Sequence, residues 1–176
     1  MYYVIHIQTG KEEKLIDAIK NKLHKHSDVE VFSPYRKSLR KYKGEMKEVV
    51  ERCFPGYLFV ETSDPQALFF DLYWVEGYTK LLGREGITYN FTPLNEEESR
   101  MIDILYNKNN NRTTEISDIE VNEGQIVKVL DGPLDGLEGI IKKVNLHKRQ
   151  VVISFPFCNR NVEATLAINI ITKANK

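Results

Sequence analysis

The segment from Val127 to Val144, VKVLDGPLDGLEGIIKKV, constrains the fold more than any other part of the chain. It places glycines at 132, 136 and 139 between two β-type runs. A P-loop is excluded because no Gly-Lys-Ser/Thr opens a helix here, and the glycine spacing does not fit a dinucleotide fingerprint. Asp131-Gly132-Pro133 is a turn signal, and glycine within a strand pattern often marks a bulge or sharp bend. The segment therefore predicts a small, strongly bent sheet.

The C-terminal third of the chain reads as strands only. Five short β-type runs follow one another and none has a helical period: EGQIVKVLDG, EGIIKKVNL, QVVISFPF, NVEATL and INIIT. Five such strands are typical of a small closed or nearly closed barrel, so we predict an all-β five-stranded barrel domain over residues 120–176. Asparagine and threonine replace apolar periodicity in NKNNNRTTEISD, and we interpret residues 107–119 as a linker.

Residues 1–106 mix strand and helix patterns. YYVIHIQ, VEVFSPY and GYLFVET read as strands, whereas KEEKLIDAIKNKLHKH carries apolar residues at helical spacing. Asp64-Pro65 signals the start of a second helix, and Asn95 with Glu98 three residues later signals a third. This order predicts an α+β domain in which helices cover an antiparallel sheet.

Composition narrows the functional classes. The chain has 25 basic and 25 acidic residues, so any contact with nucleic acid must come from a local patch. Its two cysteines and four histidines show no metal spacing, and no catalytic order of Ser, His, Asp or Cys stands out. We expect no catalytic residue, no metal and no cofactor. The absence of a signal-peptide pattern and of a long apolar run predicts a cytoplasmic protein without a membrane span.

Several motifs together carry a family resemblance. The glycine segment resembles the KOW motif, and Cys53-Phe-Pro-Gly-Tyr-Leu-Phe-Val-Glu61 resembles a characteristic strand of the NusG N-terminal (NGN) domain. Tyr2-Tyr3-Val4 followed by Gly10-Lys11-Glu12, and Pro93-Leu94 before an acidic helix start, fit the same domain. Ribosomal proteins share KOW segments, but the strand makes the match specific. The chain thus resembles the NusG-type transcription elongation factors over nearly its whole length.

The resemblance implies binding to the clamp helices of RNA polymerase by the N-terminal domain, which favours processive transcription. The positions that match the family's hydrophobic depression are Tyr2, His6, Phe54, Tyr57 and Phe59. In a strand, Leu58 and Val60 share one face while Tyr57, Phe59 and Glu61 share the other. Such aromatic residues either fill a second core surface or form an exposed partner site.

Two basic clusters are candidate nucleic-acid sites. The first contains Arg36, Lys37, Arg40, Lys41 and Lys43, and its place between two strands resembles the family's loop beside the upstream DNA. Tyr42 has the chemistry to stack on an unpaired base. The second contains Lys142, Lys143, His147, Lys148 and Arg149 around one hairpin, with Arg160 expected near its partner strand. KOW barrels often contact RNA, so we place an RNA hairpin there; the alternative for both clusters is a solvated, solubilising surface.

One departure from the family separates the functional alternatives. General NusG proteins carry an aromatic-Gly-Arg turn for Rho or a ribosomal protein, whereas Phe157-Cys158-Asn159-Arg160 lacks the glycine. The chain therefore resembles a specialised paralogue of the LoaP type, a processive antiterminator of particular operons. RfaH-type paralogues refold their barrel, but the β-branched residues of QVVISFPF and NVEATL favour a stable one. A general NusG factor and a ribosome-associated KOW protein remain alternatives, and we expect a monomer.

Overall fold

The computed structural model describes residues 1–23, 29–73, 75, 78–81, 92–121, 127–157 and 160–171. Its strands are β1 (Tyr2–Ile7), β2 (Glu30–Phe32), β3 (Tyr35–Tyr42), β4 (Glu45–Arg52), β5 (Tyr57–Glu61), β6 (Tyr78–Leu81), β7 (Thr113–Thr114), β8 (Ser117–Val121), β9 (Val127–Asp131), β10 (Ile141–Asn145), β11 (Gln150–Phe157) and β12 (Arg160–Ile170). Its helices are α1 (Glu12–Leu23), α2 (Pro65–Tyr73) and α3 (Glu96–Leu105), with 3-10 turns at Lys108–Asn110 and Glu138–Ile140. These elements form two compact units.

The first unit comprises Met1–Pro34 and Arg52–Arg100. Its sheet has the strand order β2-β5-β1-β6, and all its pairings are antiparallel. One face of this sheet packs against α1 and α2, and its core is made of Tyr3, Ile5, Ile7, Leu15, Ile16, Ile19, Val31, Leu58, Val60, Leu68, Leu72 and Val75. The predicted α+β architecture, an antiparallel sheet with helices, is thereby confirmed for the N-terminal part.

The predicted helix starts are confirmed in detail. Asp64 accepts hydrogen bonds from the backbone N–H groups of Gln66 and Ala67 at 3.1 and 3.0 Å, and Pro65 occupies the first position of α2. Asn95 and Glu98 bond each other's backbone N–H groups at 2.8 Å, which is a capping box at the start of α3. Local side-chain chemistry therefore fixes where both helices begin.

The second unit comprises Tyr35–Glu51 and Met101–Lys176. Its larger sheet has the strand order β10-β11-β12-β8-β9, with β8 and β12 parallel and the other neighbours antiparallel. The five-stranded prediction is correct, but the barrel is not closed. Within the described residues no ladder joins the outer strands β9 and β10, and the 3-10 turn at Glu138–Ile140 lies between them in the chain.

The identities of the five strands differ from the prediction. The run NVEATL and the first three residues of INIIT belong to one long strand, β12. Leu166, Ala167 and Ile168 at their junction are buried, and no turn residue interrupts the chain there. Because these two predicted strands are one, the fifth strand of the sheet must come from elsewhere in the chain. It is β8, which lies partly in the predicted linker. The predicted domain boundary at residue 120 therefore falls inside β8, and the domain limits themselves stay a prediction.

The basic segment after Tyr35 is a strand, which corrects the interpretation of it as a loop. Strands β3 and β4 form a hairpin, and β3 also pairs in parallel with β7. Lys43 (φ 51°) and Gly44 (φ 93°) form its two-residue turn with positive φ at both positions, which suits the twist of paired strands. Apolar alternation is missing here because most side chains of both strands are polar or charged. We call Tyr35–Glu51 the arm.

The glycines of the KOW segment shape the turn after β9. Gly132 has φ 102°, and a Cβ atom there would lie 2.7 Å from the Cα of Ser117. Leu134 is fully buried beside it and donates its N–H to the Ser117 hydroxyl at 3.1 Å. Gly132 is thus required for both its backbone conformation and the close approach of β8.

Candidate functional site

The five residues expected at the partner surface all lie on the sheet of the first unit or its adjoining loop. Tyr57 pairs with His6, and Phe59 with Val4, on the face opposite the helix-covered core. Four ring contacts connect that face, with centroid distances of 6.1 Å for Tyr2 and Phe32, 5.6 Å for Phe32 and Phe59, 5.8 Å for Phe54 and Phe59, and 5.2 Å for His6 and Tyr57. The structure therefore brings all five residues together.

Exposure divides this aromatic cluster in two. Tyr2 is 6% exposed and Phe59 is completely buried, so both belong to the packed interior. Phe54 and Tyr57 are half-buried, and His6 is exposed. We call Phe54, Tyr57 and His6 the aromatic rim, because only these three residues of the predicted set offer ring surface to a partner.

A buried carboxylate holds the rim in place, a role that the sequence motif containing it had not indicated. Glu12 is 3% exposed, and it accepts hydrogen bonds from the backbone N–H groups of Gly10 at 2.8 Å and Gly56 at 2.9 Å. The Gly56 carbonyl in turn accepts a hydrogen bond from the N–H of Ile7 at 2.9 Å. The loop between Phe54 and Tyr57 is thereby fixed to the end of β1 and the start of α1.

The ionisation of Glu12 follows from these contacts. Burial alone raises the pKa of its carboxyl, but the hydrogen bonds from Gly56 and Gly10 and the charge of Arg52 outweigh burial, so the pKa lies below its ordinary value. Gly56 has φ 85°, and a Cβ atom there would lie 2.9 Å from the Thr9 hydroxyl. The glycine of the FPGY motif is therefore a structural requirement of this loop.

At the base of the arm, the predicted nucleic-acid residues are engaged in ion pairs. Arg36 and Arg40 both pair with Glu51, which also accepts from Ser38 at 2.7 Å. Lys37 contacts Glu115 at 2.7 Å and Glu48 at 3.2 Å. These charges hold the hairpin together, so the three basic residues have less freedom to neutralise phosphates than the sequence pattern indicates.

The pKa shifts in the arm agree with that arrangement. Burial raises the pKa of Glu51, but the hydrogen bonds from Ser38, Arg40 and Arg36 outweigh burial and lower it overall. Hydrogen bonds to Glu115 and Glu48 raise the pKa of Lys37. Each group therefore stays charged at neutral pH.

At the tip of the arm, the basic residues are solvent-exposed. Lys41 and Lys43 make no ion pair with any residue that the structure describes. Tyr42 is 55% exposed, and the ammonium groups of Lys43 and Lys47 lie 5.6 and 5.1 Å from its ring centroid. Lys47 is absent from the predicted set because it lies beyond the dense basic run, and only the two-residue turn brings it back beside Tyr42.

The second basic cluster surrounds the turn from β10 to β11. Lys142, Lys143, His147, Lys148 and Arg149 are all exposed, and we call residues 142–149 the basic hairpin. Lys142 and Lys143 are consecutive yet both exposed, because a register shift interrupts the β10–β11 ladder at this point. The Asn145 side chain accepts from the backbone N–H of Lys148 at 2.9 Å and shapes the turn.

Arg160 does not join the basic hairpin. It begins β12 and pairs with Phe157, at the end of β11 that is remote from Gln150 and the hairpin turn. The residues from Gln150 to Phe157 separate the two ends by about 23 Å along the strand. Cys158 and Asn159 of the family's late turn, and the side chain of Arg160, lie outside the described part of the chain.

Metal-binding and membrane-spanning features find no support among the described residues. In that part of the chain, no group of three or more His, Cys, Asp or Glu side chains is placed to hold a metal ion. Nor does any described helix have the length and apolar character needed to cross a membrane.

Comparison with known proteins assigns the chain to a family. The family described as "Transcription termination factor nusG" matches residues 1–123, and the KOW motif matches residues 123–155. The first match alone covers more than half of the 176 residues. The chain belongs to the NusG family. The expected NGN and KOW organisation of a NusG-family protein is thereby confirmed.

The NusG relatives differ in how much of their length is matched. The "Transcription termination/antitermination protein NusG" of Streptococcus pyogenes is 30% identical over 111 residues, which span 63% of this chain and only 60% of that protein. The protein of the same name from Halalkalibacterium halodurans is 26% identical over 176 residues, covering 98% of this chain and 97% of that protein. The similarity thus extends through both halves.

A solved structure supports the NusG fold. The structure titled "Domain interaction in Thermotoga maritima NusG" aligns with a TM-score of 0.56 and 20% identity, and covers 94% of this chain and 92% of that one. At this identity the likeness concerns the fold alone.

Proposed function

We propose that this chain is a specialised NusG-type transcription elongation factor. It binds the clamp helices of RNA polymerase through the aromatic rim and promotes processive antitermination of particular operons. The observation that carries the proposal is the rim itself, in which Phe54, Tyr57 and His6 offer ring surface beside the paired strands β1 and β5. Aromatic side chains on a fixed support are frequent anchors of protein interfaces.

Packing beneath the rim favours this use of it. Phe59 is fully buried and contacts Phe54, so the half-buried Phe54 ring rests on a neighbour that the core encloses. Tyr57 contacts His6 across the strand pair, and the Glu12 hydrogen bonds hold the adjoining loop. A partner helix would therefore meet a surface that loses little conformational entropy on binding.

Nucleic-acid contact is the second part of the proposal. The arm tip and the basic hairpin both expose basic side chains, and an RNA hairpin is the ligand we assign to the second of them. Contacts between basic side chains and the phosphate backbone of a nucleic acid are insensitive to its sequence and weaken steeply with salt. Specificity for an operon would then come from the shape of the RNA and its unpaired bases.

The test of polymerase binding compares Tyr57→Ala with Phe70→Ala. Phe70 is 60% exposed on α2, which packs on the opposite face of the sheet, so its removal also deletes an exposed ring but leaves the rim intact. We expect Tyr57→Ala to weaken binding to RNA polymerase by at least about tenfold, as for interface anchors, and Phe70→Ala to leave it unchanged. Wild-type affinity of a folded Tyr57→Ala variant would refute the proposed surface.

The general NusG role is the second candidate, because the relatives carry the name "Transcription termination/antitermination protein NusG". A pull-down of Rho and of ribosomes separates the candidates. Recovery of Rho would favour the general role, and recovery of ribosomes without polymerase would favour a ribosome-associated KOW protein. Antitermination on selected leader sequences without Rho binding would support the specialised role.

A further inference from the structure

The charge of the second unit is concentrated in two hairpins. The arm and the basic hairpin together hold ten of the 25 basic residues but only three of the 25 acidic ones. The rest of the chain is left with 15 basic and 22 acidic residues, a net charge of minus seven, against plus seven for the two hairpins. A neutral protein thus presents a strongly cationic region, which attracts polyanions at short range.

A direct contact fixes the arm to the C-terminal sheet. Arg36 donates a hydrogen bond from Nη1 to the backbone carbonyl of Thr165 in β12, at 2.6 Å, while its other nitrogens hold Glu51. β3 pairs in parallel with β7, β12 pairs in parallel with β8, and only two residues separate β7 from β8. Together with the Arg36–Thr165 contact, this short connection indicates that β3 and β12 run in the same direction where they meet.

This shared direction places the two basic tips on the same side of the Arg36–Thr165 contact. Strand β3 continues for six residues beyond Arg36, which is about 20 Å, to its tip at Tyr42. Strand β12 reaches Ala167, the partner of Gln150, after two residues, and the turn of the basic hairpin follows directly. Both tips thus extend from one anchored base.

The face of the arm that meets β12 also carries two exposed cations near the tip. Side chains alternate along a strand, so Arg36, Ser38, Arg40 and Tyr42 share one face, and the common contacts of the first three with Glu51 agree. Lys47 lies against the Tyr42 ring and so belongs to that face. Near the tip, this face offers two cations and an aromatic ring toward the side on which the basic hairpin lies.

We propose that the arm and the basic hairpin form one composite site that grips a single RNA stem-loop. The proposal rests on the proposed function and deepens it by joining two separate surfaces into one. Lys148 and Arg149 neutralise phosphates of the stem, and Tyr42, flanked by Lys43 and Lys47, stacks on an unpaired base of the loop. The Arg36 clamp holds the two halves at a fixed separation, so binding at one raises the effective concentration of RNA at the other.

The test measures binding of labelled RNA to the full chain by fluorescence anisotropy over a salt series. The probes are a stem-loop with a stem of about 12 base pairs, a stem-loop with a stem of about four, and a DNA duplex that matches the longer stem. The longer stem is chosen because one helical turn of about 34 Å is long enough to reach both tips. The variants are Lys47→Ala, Lys148→Ala, their combination and Arg36→Met. The control is Lys20→Ala, because Lys20 is an exposed lysine of α1 that belongs to neither basic cluster.

For the composite site we expect one long stem-loop per chain. Lys47→Ala and Lys148→Ala should each reduce the salt slope by about one, whereas Lys20→Ala should not. Arg36→Met should weaken binding of the long stem-loop by roughly tenfold or more, because the arm and the basic hairpin are no longer held together. Binding of the short stem-loop should stay nearly unchanged. Circular dichroism and thermal unfolding would verify that each variant is folded.

Several outcomes would overturn the composite site. Binding of two stem-loops per chain would mean that the arm and the basic hairpin are separate sites. A loss of RNA affinity on substitution in only one of the two would mean that this one alone binds RNA. Either result would leave the proposed function standing. Equal binding of the DNA duplex would reassign the site to duplex phosphates in general. Absence of RNA binding altogether would refute both the composite site and the nucleic-acid part of the proposed function, but polymerase binding by the rim would be unaffected.

Discussion

The two faces of a single strand, β5, show which residue-scale properties follow from sequence. Alternation correctly separates Leu58 and Val60 from Tyr57 and Phe59. It does not predict that Phe59 is completely buried while Tyr57 is half-buried, because that difference depends on which distant residues cover the second face. The direction of a side chain is a local property, whereas its depth is a tertiary one.

Glu12 is the residue whose role is least evident from sequence. It reads as an ordinary acidic residue in the first turn of a helix, but folding buries it between the backbone N–H groups of Gly10 and Gly56. Its contact with Gly56 joins residues that are 44 positions apart in the chain. No local pattern predicts such a contact.

We expect Glu12→Gln to destabilise the first unit by about 1–3 kcal/mol at pH 7, since a neutral amide accepts these bonds less well and presents a competing donor. Because the folded pKa lies below the ordinary value, the contribution of Glu12 is complete at neutral pH. It is lost as the pH falls below about 4.5 and through the folded pKa. The difference from wild type, measured by urea unfolding, should therefore shrink on acidification.

Glu13→Gln is the matched control for this prediction. Glu13 is the neighbouring carboxylate, pairs with Arg52, and has a side chain that is 64% exposed. Exposed ion pairs contribute at most about 1 kcal/mol, so a small effect is expected. If the two variants lost equal stability, or if the Glu12 effect did not depend on pH, the buried carboxylate would not have the assigned role.

At the scale of elements, prediction succeeds where the signal is local and fails where pairing is long-range. The Asp64-Pro65 and Asn95/Glu98 signals fix the starts of α2 and α3 by contacts over three residues or fewer. In contrast, the start of β8 has the composition of a linker and is predicted as one. Its residues form a strand because they pair with β12 and β9. The identity of β8 as a strand therefore depends in part on a partner about 50 residues away.

The turn between β9 and β10 provides an element-scale prediction. Gly132→Ala places a Cβ atom 2.7 Å from the Ser117 Cα in a backbone conformation that alanine rarely adopts. We expect a loss of about 2 kcal/mol or more, from strain and from displacement of β8. Thermal unfolding of the full chain, followed by circular dichroism, measures this loss.

Gly139→Ala is the control within the same motif. Gly139 has no positive φ, and a methyl group added there would meet no described atom within 4 Å. We expect its effect to stay below about 1 kcal/mol. Equal losses at both positions would show that the KOW glycines act by some property other than close packing against Ser117.

On the scale of the whole molecule, the least predictable feature is the association of the arm with the C-terminal half. Residues Tyr35–Glu51 belong to the second compact unit, although they precede the rest of it by about 50 residues. The parallel pairing of Tyr35 with Thr113 and the Arg36–Thr165 hydrogen bond create this association. Neither leaves a periodic signal in the sequence, since the arm is polar on both faces.

The position of β8 in the sheet also determines which C-terminal fragment can fold. A fragment of residues 120–176 follows the sequence-based boundary but removes Ser117, Asp118 and the fully buried Ile119 from the centre of the sheet. β8 lies between β12 and β9, so the fragment would lose all three β8 residues that pair with β12 and two of the four that pair with β9. Loss of this central pairing together with a buried isoleucine costs more stability than a small domain has in reserve.

We therefore expect residues 115–176 to fold and residues 120–176 to remain largely unfolded. Heteronuclear NMR of the two fragments under the same conditions tests this, with dispersed amide signals expected only for the longer one. The comparison is well matched because the fragments differ by five residues, of which three belong to β8. Dispersed spectra from both would mean that β9, β10, β11 and β12 form a stable sheet without the start of β8. RNA binding by the C-terminal region should accordingly be measured on a chain that retains Ser117.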